Sequence, residues 1–171
     1  MAESMGRFPK RPKPRTVPTE ADWGDYKSDL DQNDAHQRFS GRTNEEMQRH
    51  FRSNPLALQG ELLFMPEKPF RYYMLGFRDF MVAGDFAEGW ASDATSCFLN
   101  LVEHKLENQP RYIMPIMPDL LPAIEQAARK QAARDAAENI FGDSLEKLGH
   151  IKSLYEAQGG LAYSNQLKAF L

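Results

Sequence analysis

The sequence predicts an all-α protein, an irregular bundle of five to seven helices around a central helix pair at about 69–83 and 92–107. Two observations carry this. Apolar residues recur at spacings of three and four along most of the chain, the period of one helical face. No segment alternates apolar and polar residues over a β-branched run. Valine stands only at positions 17, 82 and 102, too few for a sheet-rich fold.

Taken in order, residues 1–18 hold four prolines and almost no large apolar side chain. They read as an extended, basic, proline-rich tail ahead of a single helical domain over 19–171. Residues 19–41 place Trp23, Tyr26 and Leu30 at helical spacing among acids, with Gly24 and the aspartates weakening a helix. A short helix or turn is expected there, then a helical piece around Ala35 to Phe39. Thr43 and Glu46 form a capping box that opens a helix over Asn44 to Arg52, with Met47 and Phe51 on one side. Asn54 and Pro55 start another that carries Leu56, Leu58, Leu62, Leu63 and Phe64, with Gly60 in its middle.

The first helix of the central pair opens at Pro69, whose missing N–H suits a first turn. Phe70, Tyr73, Met74, Phe77, Phe80 and Met81 form its stripe, Arg71, Arg78 and Asp79 fall off it, and Gly84 supplies a left-handed stop. The second starts at Ser92 as N-cap, with Asp93 near the positive end of the helix. Ala94, Cys97, Phe98, Leu101 and Val102 make a broad stripe that Leu99 and Leu106 widen, and Pro110 ends the run near Asn108. Tyr112 to Met114 form a turn broken by Pro115. Pro118 begins an alanine-rich helix with Leu120, Leu121, Ile124, Ala127, Ala128 and Gln131 on one face. Asp143 and Glu146 read as a second capping box, ahead of Leu145, Leu148, Ile151, Leu154 and Tyr155, with Gly159 and Gly160 at the end. Residues 162–171 are expected to form a short terminal helix or to fray.

Composition narrows the function classes. No run approaches the ~18 apolar residues of a membrane span, and no apolar stretch follows the basic N-terminus as in a signal peptide. A lone cysteine, Cys97, forms no intrachain disulfide and lies on an apolar stripe, which predicts a buried, inert thiol and a cytoplasmic location. There is no P-loop, GxGxxG, GxSxG or HExxH. The histidines, at 36, 50, 104 and 150, fall on four different segments with no zinc spacing. The stretch DLDQND fails as a calcium loop. Counted from Asp29, its sixth and twelfth positions are Asp34 and Ser40, where a glycine and an acid are required. The reading is therefore no enzyme, no cofactor and no metal.

Charge is the distinctive feature. The net −3 splits into +4 over residues 1–18 and −7 over the rest, with −5 concentrated in residues 20–34. Acids interleaved with aromatics suit a protein interface. The expected partner-binding residues are Asp22, Trp23, Asp25, Tyr26, Asp29 and Asp31 from that run, with Asp85, Glu88 and Trp90 from the loop DFAEGWA. In size, acidity and lack of catalytic motifs the chain resembles the small helical immunity proteins that bacteria encode beside polymorphic toxins. That resemblance implies neutralisation of a cognate toxin by direct binding, with a basic toxin domain as partner. Two other classes compete with it. One is a small-ligand binder or enzyme using Arg71, Tyr72, Tyr73 and Arg78 on the aromatic helix 70–81. The other is a regulator that touches nucleic acid through the basic tail, for which the tail is short and carries one aromatic, Phe8.

Overall fold

The computed structural model describes residues 15–140 and 142–160, and every described element is helical. Two 3-10 turns, Glu20–Trp23 and Tyr26–Ser28, lead into α1 (Leu30–Phe39), α2 (Asn44–Ser53), α3 (Pro55–Phe64), α4 (Glu67–Ala83), α5 (Ala91–Asn108), the single-turn α6 (Pro110–Ile113), a 3-10 turn at Met114–Ile116, α7 (Met117–Ala137) and α8 (Ser144–Ala157). The bulk of the expected tail, residues 1–14, and the expected helix over 162–171 lie outside the described residues. The described end of the tail reaches the body, where Arg15 pairs with Asp119 at 2.7 Å.

The α4–α5 pair is the core, as the stripes require. Phe70, Tyr73, Met74, Phe77, Phe80 and Met81 are all buried, and so are Ala94, Cys97, Phe98, Leu101, Val102 and Leu106. Phe77 and Phe98 meet edge to face across the pair, with centroids 5.3 Å apart. α2 packs on α4, α3 and α8 pack on α5, and α7 packs on α4 and α8. Gly76, in the middle of α4, has a packing reason. A Cβ there would collide with Asn44 at the start of α2. Asn44 Nδ2 donates to the Tyr72 carbonyl at 2.9 Å, and Gln48 Nε2 to that of Gly76 at 3.0 Å.

Several boundaries differ from expectation. α4 begins at Glu67, two residues before Pro69, and α5 is capped at Trp90, so Ser92 lies inside its first turn. Asp143 occupies the N-cap of α8, but its side chain accepts no capping hydrogen bond. Leu145 is exposed, leaving the buried Leu148, Ile151 and Tyr155 and the partly buried Leu154 to pack α8. Leu30 is 84% exposed because α1 starts there, with Asp29 as a working N-cap that accepts from Gln32 N at 3.0 Å. The Thr43–Glu46 box and the left-handed Gly84 stop form as predicted. Cys97 is buried, and burial with Asp93 nearby pushes its thiol up to about 11, so a thiolate is disfavoured at neutral pH. Among the described residues no helix is long and apolar enough to cross a membrane.

A lysine is buried in this core. Lys105 follows Leu101 by four residues, so it falls on the apolar stripe, and it is 0% exposed. Its ammonium donates to the Leu63 carbonyl at 2.7 Å and to Gln109 Oε1 at 2.5 Å. It lies 4.7 Å from the Phe70 ring centroid and 4.8 Å from that of Tyr112. Burial pushes its pKa down from 10.5 to about 8. The unfolded chain therefore holds this proton more tightly, so stability rises with pH between those values. Chemical denaturation should show a gain of about 2 kcal/mol between pH 7 and 9.5, and Lys105→Met should flatten it. The test stays below pH 10, because the buried Tyr73 phenol, pushed up by burial, opposes the trend above its ordinary value of 10.0.

Candidate functional site

The acidic run 20–34 wraps its aromatics inward. Thr19 caps the first 3-10 turn, its N–H donating to Asp22 Oδ2 at 2.8 Å. Trp23, 1% exposed, meets His36 edge-on at 5.1 Å. Tyr26 is buried and stacks flat on His36, with centroids 3.6 Å apart and planes 7° from parallel. Glu20 ties the group together. It accepts from the Tyr26 hydroxyl at 2.8 Å and lies 2.8 Å from His36 Nε2. Those hydrogen bonds, His36 first, hold the Glu20 carboxyl below the usual range. Trp23 and Tyr26, expected as exposed partner anchors, are thus core anchors for the N-terminal segment. Trp23 Nε1 is buried with no acceptor among the described residues.

The carboxylates divide into two groups. Asp22 pairs with Lys68 at 2.9 Å, and the hydrogen bonds from Lys68 and then Thr19 hold its carboxyl low. Asp29 caps α1. Asp25, Asp31 and Asp34 are exposed and have no ion pair among the described residues. Asp31 and Asp34 border a cleft of about 210 Å³ between α1 and α3, whose other wall is Ala57, Gly60, Glu61 and Phe64. Glu61 accepts from Arg38 Nε at 2.7 Å, while its second oxygen is buried with no donor among the described residues. Burial pushes the Glu61 carboxyl up, Arg38 opposes the shift, and Asp34 adds to it. Phe64 is half exposed at this cleft. Phe64 and Glu61 were missed by sequence reasoning, which assigned Phe64 to packing and did not see that α3 faces the acids of α1.

The structure separates the two halves of the expected surface. Asp22 reaches Lys68 in the first turn of α4, whereas Asp85, Glu88 and Trp90 follow its last turn. The 17 residues of α4 make that separation about 25 Å. Asp85 lies 3.4 Å from Arg52, Glu88 is exposed, and Trp90 is partly buried as the N-cap residue of α5. On the aromatic helix, the polar groups proposed for a ligand are engaged with protein. Tyr73 donates its hydroxyl to the Phe39 carbonyl at 2.6 Å. The Tyr72 hydroxyl accepts from Asn44 N at 3.3 Å. Arg71 donates to the carbonyls of Tyr112 and Arg111, and Arg78 pairs with Asp79 at 2.6 Å.

Folding also assembles Glu103, Glu107 and His150, with one ligand atom from each lying within 4.8 Å of the others. Glu103 is already engaged, by His150 at 2.7 Å and Lys147 at 3.3 Å. Burial pushes its carboxyl up, but those hydrogen bonds outweigh burial and hold it low. The group reads as an ion-pair network tying α5 to α8. Compared with known proteins, the chain matches no family model, no curated protein and no solved structure.

Proposed function

We propose that the chain is an acidic protein-binding module whose α1–α3 face docks a basic protein partner. Its role is that of an immunity protein, neutralising a cognate toxin by direct binding in the bacterial cytoplasm. The observation that carries this reading is the cleft between α1 and α3. Two exposed carboxylates without ion-pair partners among the described residues, Asp31 and Asp34, stand there beside a half-exposed aromatic ring, Phe64. An arginine or lysine entering the cleft meets charge from the aspartates and a ring face from Phe64. Asp25 and Asp29 extend the negative field that steers such a partner. Leu30 and Leu56 add exposed apolar area on α1 and α3, so the face combines steering charge with surface that gains from desolvation.

The test is co-expression with the product of the neighbouring gene, scored by growth of a bacterial host. The intact protein is expected to restore growth, and the double variant Asp31→Lys, Asp34→Lys to restore much less at equal protein level. Equal rescue by both, or no toxicity to rescue, counts against the reading.

A further inference from the structure

Between α5, α7 and α8 lies a cavity of about 290 Å³, at the small end of the range for ligand sites. Its walls are polar. Thr95, Ser96 and Asn100 come from α5, Gln131 and Asp135 from α7, Lys147 from α8 and a second, exposed carboxylate, Asp143, from just before it, while Leu99 is the one apolar side chain among the described residues that line it. Thr95, Gln131, Asp135 and the lining Ser144 are each more than nine-tenths buried.

Asp135 is the anomaly. One of its oxygens accepts from the neutral amide of Gln131 at 2.8 Å, and the other has no donor among the described residues. The guanidinium of Arg134, the preceding residue, is directed elsewhere. It donates to Gln131 Oε1 at 2.6 Å and to Thr95 Oγ1 at 3.1 Å. Lys147, itself part of the wall, donates to Asn100 Oδ1 at 2.5 Å and pairs with Glu103 at 3.3 Å rather than with Asp135. Among the described residues no cation pairs with Asp135, so a cation entering the cavity meets a carboxylate that is not already neutralised. Gly142 fits the carboxylate closely, since a Cβ there would collide with Asp135.

We propose that this cavity binds a small hydroxylated molecule carrying one primary ammonium group. The ammonium sits on Asp135, with the hydroxyl hydrogen-bonded along the Ser96–Asn100 wall. The site is separate from the α1–α3 face and stands or falls independently of the toxin reading.

The experiment is an amide-resolved NMR titration of the full chain with 2-aminoethanol, and in parallel with ethylene glycol, which replaces the ammonium by a hydroxyl. Saturable shifts are expected at Thr95, Ser96, Gln131 and Ser144 with 2-aminoethanol, at an affinity about tenfold or more above that for the glycol. Asp135→Asn should remove that preference. Ser96→Trp fills the cavity from an exposed wall position, leaves Asp135 in place, and should abolish binding of both. Equal response to the two probes, no saturable shift, or binding that survives Ser96→Trp overturns the proposal.

Discussion

Phe77→Ala is expected to cost on the order of 3–5 kcal/mol, and Phe98→Ala a similar amount. Both rings are completely buried, and they meet at the centre of the α4–α5 pair. Phe77 also stacks on Phe51 at 5.0 Å, with planes 7° apart, so its removal opens a void that three helices line. The rigid neighbours Phe51, Phe80 and Phe98 cannot collapse into that void without giving up their own ring contacts. Urea denaturation should show the loss as a lower midpoint with little change in slope. Because the two rings touch, the double variant should cost less than the sum of the singles. A loss below about 1 kcal/mol for either single variant, the range of surface changes, would refute the central pair.

Trp23→Ala is the second large effect, also on the order of 3–5 kcal/mol. The indole is closed off from solvent by His36 and Tyr73, and its loss frees the whole segment that leads into α1. The expected signature is a lower melting temperature of the free protein, roughly 2–4 °C for each kcal/mol at this chain length, with association kinetics toward a partner unchanged. A stable Trp23→Ala protein that dissociates faster from its partner would return Trp23 to the interface.

The contrast between these two residues shows what was legible in the sequence. Phe77 and Phe98 lie on long stripes whose period alone fixes which side is inside, and the Thr43–Glu46 box and Gly84 mark helix ends by local chemistry. Trp23 has no such stripe. It sits in a four-residue 3-10 turn among acids, and its burial depends on His36 and Tyr73 arriving from elsewhere in the chain. Polar residues near it read as a solvent face, although Glu20 and Asp22 satisfy the segment's own donors. Leu30 errs the other way, matching a helical spacing that the chain abandons at Asp29. The cleft between α1 and α3 and the cavity between α5, α7 and α8 both require knowing which helices are neighbours, and one-dimensional periodicity does not carry that. Lys105 did leave a signal, a charge four residues after Leu101 on an otherwise apolar stripe.

Docking of a basic protein by the exposed carboxylates of the α1–α3 face is the proposed function. Its most direct test is the association rate with the neighbouring gene's product, measured across ionic strength for the intact chain and for Asp31→Lys, Asp34→Lys. Both side chains are exposed, so the pair of substitutions should leave the melting temperature within a degree or two. The double variant is expected to associate about tenfold more slowly at low salt and with a flatter salt dependence, because steering by the acidic face is reversed. A complex that forms at the same rate, with the same salt dependence, would contradict it.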